Sequence, residues 1–292
     1  MTTPSTTERI VYLSGRYLPL SQAAVPVMDR GFLLGDAVYE VIPVFGGQPF
    51  RFAQHIERLN RSLLAIRISN PLELNRWQEI ATKLIEQFPG QDQSLYIQVT
   101  RGVAPTRDHT FPAGLKPTVL FMSSPLDKSK LPDPHKGIAV VTVEDLRWKL
   151  CRIKATTLLA NVLARQQASD EGALEAIMLR DGYALEGAAS NLFIVVRDQL
   201  ITPPTGDEIL TGITRDLVLE LATNAKIPWR ERAIPTSELY EAQEIWLTSS
   251  IREVIPVVTL NHKPVADGRP GAMWKKMYDL YENYKQSLRS GV

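Results

Sequence analysis

Asp145-Leu146-Arg147-Trp148-Lys149-Leu150-Cys151-Arg152-Ile153-Lys154-Ala155-Thr156-Thr157 is the stretch on which the fold turns. The apolar run Ile138 to Val143 leads into it and predicts a strand. Leu158, Leu159, Val162 and Leu163 follow it at helical spacing. Lys154 is therefore expected near a strand-to-helix junction, close to a helix N-terminus, where aligned peptide dipoles carry roughly half a positive charge. A partly desolvated lysine at such a place is a candidate for Schiff-base chemistry, which needs a neutral amine. The competing account is a lysine that simply solvates a helix start.

The chain has 292 residues, 44% of them hydrophobic and 22% charged. These are ordinary values for a globular protein of about two domains, long enough to bury a large core. Against 33 Lys and Arg stand 32 Asp and Glu, for a net charge of +1. That balance points away from nucleic acid and from acidic membrane surfaces. No segment has the apolar length of a transmembrane helix. The start, Met1-Thr2-Thr3-Pro4-Ser5-Thr6-Thr7-Glu8, lacks the pattern of a signal peptide and is expected to be a frayed tail. A single cysteine, Cys151, cannot form an internal disulfide, so a cytoplasmic location is expected. Its place near Lys154 fits a small core residue better than a reactive thiol.

Outward from that stretch, the first half reads as a hairpin at Ile10–Leu13 and Tyr17–Leu20, a turn at Asp29-Arg30-Gly31, and a strand from Ala37 to Phe45. Pro43 marks that strand as an edge or a bulge. Ile56, Leu59, Leu63 and Ile66 define one amphipathic helix, with Arg58 beside the stripe. Trp77, Ile80, Leu84 and Phe88 define a second. Between strands at Ser94–Thr100 and Thr118–Met122 lies a shaped loop with Arg107 and His109, either an anion site or a solvated tip. Residues 124–137, with Pro125, Pro132 and Pro134, form the expected linker between domains at 1–123 and 138–292.

In the second half, Asp181-Gly182 predicts a two-residue hairpin, and Gly172 a helix C-cap. Glu186 follows at its rim, where a carboxylate is either solvated or paired to a buried cation. Thr214 is expected to cap a helix running through Leu217, Val218 and Leu221, whose free amides would suit an anion. Thr248-Ser249-Ser250 ends a strand as a second hydroxyl cluster. Met273, Met277, Leu280, Tyr281 and Tyr284 mark a closing helix packed on the core. Together these supply an amine, a carboxylate and two hydroxyl-rich turns, with Arg58 as a further cation. That set suits pyridoxal phosphate.

At this point the chain resembles the fold-type IV pyridoxal-phosphate aminotransferases, and within them the D-amino acid transaminases. The resemblance runs from about Tyr12 to the last helix. Its motifs are Asp29-Arg30-Gly31-Phe32 with Gly35-Asp36, Val38-Tyr39-Glu40, His55-Ile56-Glu57-Arg58-Leu59 and Arg107-Asp108-His109. To these are added Ile153-Lys154, Glu186-Gly187 with Ser190-Asn191, Gly212-Ile213-Thr214-Arg215 and Thr248-Ser249. It implies an α/β (α+β) fold: a small N-terminal α/β domain, a larger C-terminal domain with a barrel-like sheet, and pyridoxal 5'-phosphate between them. It also implies a homodimer in which the Arg107 loop completes the partner's site.

By the same resemblance, Lys154 is the Schiff-base lysine and proton shuttle, and Glu186 pairs with the pyridine nitrogen. Arg58, Ile213, Thr214 and Ser250 contact the phosphate, and Ser249 and Leu210 lie close to the cofactor. Tyr39, Arg107 and His109 bind substrate. The implied donors are D-alanine and D-glutamate, the acceptors pyruvate and 2-oxoglutarate, in a ping-pong reaction. A branched-chain L-aminotransferase, an (R)-amine transaminase and an aminodeoxychorismate lyase share Lys154 and Glu186 and are the alternatives. No metal is implied. Ala188 and Ala189 stand where D-amino acid transaminases often carry serines, and Arg152 where they carry an acid.

Overall fold

The computed structural model describes residues 8–290, so the expected N-terminal tail before Glu8 lies outside the described residues. Contacts divide the chain into two units. One runs to Leu126 and takes back Ile153–Thr157. The other holds Asp127–Arg152 and everything from Leu158 onward.

The first unit is built on six strands: β1 (Ile10–Leu13), β2 (Arg16–Pro19), β3 (Ala37–Phe45), β4 (Gln48–Pro49), β5 (Gln93–Thr100) and β6 (Thr118–Pro125). They lie in the order β2-β1-β6-β5-β3-β4, every neighbour antiparallel. Strand β5 alternates cleanly, sending Leu95, Ile97 and Val99 inward. Helices α2 (Phe52–Ala65) and α3 (Leu74–Ile85) cover that face with Leu59, Leu63, Trp77, Ile80 and Leu84. The Phe50 N–H donates to Pro43 O at 2.8 Å from the β4 side. The missing Pro43 N–H faces the same short edge, where little pairing is lost.

The predicted turn at Asp29-Arg30-Gly31 is instead the start of a five-residue helix, α1 (Arg30–Leu34). Asp29 Oδ1 accepts the Gly31 N–H at 2.8 Å, and Gly35 closes the helix at φ 65°. A Cβ at Gly31 would collide with Thr100 Cγ2, which explains the glycine there.

The second unit contains β7 (Ile138–Glu144), β8 (Glu175–Arg180), β9 (Tyr183–Gly187), β10 (Asn191–Val196), β11 (Gln199–Thr202), β12 (Trp229–Glu231) and β13 (Ile234–Pro235). It continues with β14 (Glu244–Ser249), β15 (Glu253–Leu260) and β16 (Lys263–Pro264). Six of these close on themselves, β10-β14-β15-β7-β8-β9, and return to β10 through the Asn191–Glu186 pair. The β7 pairings with β8 and β15 are parallel, and the other ring pairings are antiparallel. Closure removes the free edges that an apolar sheet would otherwise present. The barrel-like sheet implied by the resemblance is this ring, with Ile177, Leu192, Ile194, Ile245, Leu247 and Ile255 in one buried cluster. Asp181 and Gly182 both adopt positive φ in the β8–β9 turn, the geometry that an Asp-Gly hairpin predicts.

Helices α4 (Leu159–Asp170), α5 (Ile213–Asn224), α6 (Thr236–Glu241) and α7 (Ala272–Ser290) complete this unit. The apolar spacing that predicts α4 is right about the helix and wrong about its buried face. Ala164 and Ala168 are buried, whereas Leu159, Val162 and Leu163 are 71%, 58% and 56% exposed. Small side chains let α4 sit close against Val141, Ala176 and Met178. Helix α7 buries Trp274, Met277, Tyr281 and Lys285, the last paired to Glu253 at 2.7 Å. Among the described residues, no helix is long and apolar enough to cross a membrane.

Candidate active site

Lys154 is not at a helix start. Helix α4 begins at Leu159, and the lysine lies in the extended segment Ile153–Thr157 of the first unit. Ala155 bridges Val38, the Tyr39 N–H donates to Lys154 O at 3.0 Å, and the Lys154 N–H donates to Ser62 Oγ at 3.2 Å. Ile153 and Ala155 are buried in the first unit's core on either side. Strand-like pairing, not a helix dipole, therefore fixes this residue. It places Lys154 Nζ 4.3 Å from the centroid of the Tyr39 ring, which is itself stacked on Tyr96 at 5.8 Å.

Arg58, predicted on the flank of α2, is buried and turned onto β3. Its Nε donates to Glu40 Oε1 at 2.8 Å and its Nη2 to Glu40 Oε2 at 2.7 Å. His55 Nδ1 lies 2.8 Å from the same Oε2. Burial alone would raise the Glu40 carboxyl, but Arg58 outweighs it and holds the group at about 2. Burial keeps His55 neutral by pushing its pKa down. Glu40 and His55 sit in motifs named above, yet nothing local in the sequence signals that they orient Arg58.

In the second unit, Glu186 is a residue of β9, 4% exposed, and paired rather than solvated. It accepts from Arg147 Nη1, from Asn191 Nδ2 at 3.1 Å, and from the Leu210 N–H at 3.1 Å to Oε2. Arg147 also grips Asp145 through Nε and Nη2, both at 2.9 Å. Burial still dominates and pushes the Glu186 carboxyl up to about 7, against the pull of Arg147. Arg147 belongs to the opening stretch but lies 39 positions from Glu186, so no local pattern announces the pair.

The N-cap of α5 is Gly212, not Thr214, which occupies the helix's second position. A Cβ at residue 212 would overlap Asn191 Oδ1, so only glycine allows this approach. No side chain caps α5, leaving the amides of Ile213 and Thr214 at an uncapped helix start. Asn191 Nδ2 also donates to Leu210 O at 2.7 Å, which ties the segment before α5 to Glu186. Ser249 ends β14 and Ser250 begins the turn into β15. Ser249 Oγ accepts the Arg252 N–H at 3.3 Å, and the buried Thr248 Oγ1 has no hydrogen-bond partner.

Arg107 and His109 are both exposed, in the loop between β5 and β6 of the first unit. Of the three departures, Arg152 pairs with Asp207, Ala188 is buried with its carbonyl accepting Asn161 Nδ2 at 2.7 Å, and Ala189 is exposed.

Residues 37–260 match the Amino-transferase class IV family. The chain belongs to that family. This class IV aminotransferase is 36% identical over 273 residues to the D-alanine aminotransferase of Bacillus licheniformis, covering 94% of this chain and 96% of that one. It is 35% identical over 280 residues to the D-alanine aminotransferase of Staphylococcus aureus strain COL, covering 95% and 98%. Among solved structures, it overlays the branched-chain amino acid aminotransferase of Escherichia coli with a TM-score of 0.88 at 25% identity, over 94% of each chain. The branched-chain amino acid aminotransferase of T.th., solved with pyridoxamine 5'-phosphate, has the same fold at TM-score 0.88 and 22% identity, over 97% of this chain and 95% of that one.

The cofactor of class IV aminotransferases is pyridoxal phosphate, and the residues of this chain fit it. A buried carboxylate raised to about 7 gains from a further cationic partner, which a pyridinium supplies. The uncapped start of α5 offers amides suited to a phosphate. Among the described residues, no group of three or more His, Cys, Asp or Glu is placed to hold a metal.

Proposed function

We propose that this aminotransferase is a D-amino acid transaminase, taking its amino group from D-alanine or D-glutamate and passing it to 2-oxoglutarate or pyruvate. The observation that carries this reading is 36% identity to a D-alanine aminotransferase along 94% of the chain. The branched-chain structural relatives favour the alternative less, since they share at most 26% identity among those compared.

Lys154, Glu186, Arg58, Ile213, Thr214, Ser249, Ser250 and Leu210 would hold the cofactor. Tyr39, Arg107 and His109 would hold the substrate. When bound, the cofactor draws electrons from the substrate Cα and so makes its C–H bond acidic. Lys154 Nζ, steadied over the Tyr39 ring, takes that proton and returns it. Glu186 in its charged form would pair with the cofactor's pyridine nitrogen, with Arg147 offsetting part of the cost of burying the carboxylate. Arg58, oriented by Glu40, would bring its guanidinium charge to the phosphate. Arg107 and His109 grip the substrate carboxylate and thereby select the enantiomer whose C–H bond faces the lysine.

The same reading includes a homodimer. Its support is the apolar row Leu159, Val162 and Leu163 exposed together on α4, a grouping of the kind that marks an interaction surface. Light scattering should give twice the 32.7 kDa chain mass. It also includes a cytoplasmic location, which a single buried cysteine suits.

The test is an assay of D-alanine, L-alanine and L-leucine as donors with 2-oxoglutarate. D-alanine should be the far better donor, and Arg107→Leu should lower its kcat/KM roughly ten- to a hundredfold, the worth of one charge-assisted hydrogen bond. A preference for L-leucine would transfer the enzyme to the branched-chain reading.

A further inference from the structure

The motif Asp29-Arg30-Gly31-Phe32 with Gly35-Asp36 has no role in the site just described, yet it places two buried arginines on one carboxylate. Arg30 Nε donates to Asp36 Oδ2 at 2.8 Å. Arg101 Nε donates to the same oxygen at 2.7 Å, and Arg101 Nη2 to Asp36 Oδ1 at 3.0 Å. The arginines are 3% and 7% exposed. One carboxylate cannot satisfy two buried guanidinium groups, so their remaining donors need carbonyl oxygens.

Those oxygens come from specific places. Arg101 takes Ile66 O at 2.6 Å and Arg67 O at 3.1 Å, at the end of α2. Arg30 Nη1 takes Asp108 O at 2.5 Å, and its Nη2 reaches His109 O at 3.3 Å. The loop's base is fastened separately, by the Asp29–Val103 bridge and by the Ala104 N–H on Met28 O at 3.1 Å. Near its tip, the Arg101 guanidinium lies 3.7 Å from the centroid of the Phe111 ring. The two carbonyls on Arg30 are those of exposed residues, one of them His109 itself and the other directly following Arg107.

We infer that Arg30 and Arg101, joined through Asp36, are positioning residues that aim Arg107 and His109 at the substrate carboxylate. They act through the loop's backbone and touch no substrate. A planar fork that reaches two successive carbonyls fixes the peptide plane between them, and with it the directions in which the flanking side chains leave. Lysine's compact ammonium has three donors on one nitrogen but no planar fork, and cannot span both carbonyls while pairing with Asp36. The inference rests on the carboxylate role proposed above for Arg107 and His109.

The experiment compares wild-type holoenzyme with Arg30→Lys. Amide exchange across residues 105–112 should quicken, with exchange in β3 and α5 unchanged. KM for D-alanine and for pyruvate should rise about tenfold while kcat stays within about twofold, the split expected when binding alone is lost. The absorbance of the bound cofactor should not move. Unchanged exchange in the loop overturns the inference, and so does a fall in kcat with KM unaltered. Wild type that ignores D-alanine would instead sink the proposed function, with the exchange result still deciding whether Arg30 holds the loop. Should Arg30→Lys not fold, Phe111→Ala removes an exposed ring on the Arg101 side of the clamp. The same rise in KM and quicker exchange support the inference, and neither appearing overturns it.

Discussion

Arg58 and Glu40 meet at two points, with Nε to Oε1 at 2.8 Å and Nη2 to Oε2 at 2.7 Å, both side chains buried in the first unit. Removing one member strands a buried charge, which costs about 3–5 kcal/mol in general. Glu40→Leu alone should therefore destabilise the apoenzyme by about that much, and Glu40→Leu with Arg58→Leu by clearly less. Urea unfolding of the two single variants and the double measures the coupling. Purely additive losses would mean that the two residues stand near each other without interacting. The pair also has an acid limit. Glu40 is held at about 2, so its contribution is complete above the ordinary glutamate value of 4.5 and fades as pH falls towards 2.

Glu186 gives the opposite pH dependence. Its carboxyl is raised to about 7 by burial, so the folded apoenzyme binds this proton more tightly than the unfolded chain does. The stability it lends is full below 4.5 and is lost as pH rises through 7. The difference in unfolding free energy between apo wild type and Glu186→Gln should thus move in favour of the glutamine variant from about pH 5 to about pH 8. Bound cofactor should flatten this trend in wild type, because the pyridinium favours the charged carboxylate. A pH-independent difference in the apo proteins would contradict the burial argument.

Lys154 is tested chemically. Borohydride reduction of the holoenzyme, followed by peptide mapping, should find the cofactor on the peptide that contains Lys154. Lys154→Ala should keep cofactor through the phosphate contacts but release it to dialysis, with turnover lost. Label recovered on another lysine would remove Lys154 from the role.

Gly212 is expected to tolerate no side chain. Its φ of -78° and ψ of 135° suit any residue, so the obstacle is space: a Cβ there overlaps Asn191 Oδ1. Asn191 in turn holds Glu186 and Leu210. Gly212→Ala should weaken cofactor affinity roughly ten- to a hundredfold, about 1.4–2.8 kcal/mol. Asn191→Ser in the same chain should relieve the overlap and recover part of the loss. Titration of the apoenzymes with pyridoxal phosphate reads both effects. Equal affinity in Gly212→Ala and wild type would show that the segment shifts without consequence.

Much of the fold is legible in the sequence because period and punctuation are local. Ser94–Thr100 alternates, Ala37–Phe45 ends at Gly46-Gly47, and Asp181-Gly182 announces its own hairpin. Burial is less legible. The leucines of α4 recur at helical spacing, yet Ala164 and Ala168 take the inner face, because close approach to Ala176 and Met178 favours small side chains. Sequence neighbours attach Lys154 to α4, whereas its position comes from pairing with Val38 and Tyr39, more than a hundred residues earlier in the chain. Arg147 with Glu186, Arg58 with Glu40, and Arg30 with Asp108 pair over shorter separations of 39, 18 and 78 positions, equally unmarked in the sequence. Each is a side chain finding its partner across the tertiary fold, and residue type alone names a charge without naming whom it meets. Thr214 shows the finer failure: a hydroxyl at a helix start reads as a cap, but the tight approach of Asn191 gives the cap position to Gly212.

The return of Ile153–Thr157 to the first unit bears on how the protein is made. During synthesis, the first unit's own chain emerges up to Leu126 and then stops lacking one piece. Val38 has no bridge, Ser62 Oγ has no Lys154 N–H to accept, and the places of Ile153 and Ala155 in the core stand open. The ribosome must deliver residues 127–137, all of β7 and the turn beyond it before those five residues arrive. A nascent chain arrested just past Leu126 should accordingly be soft to proteases around β3. One long enough to free Thr157 from the exit tunnel should resist them, and Lys154 would be among the last residues to lock its first unit shut.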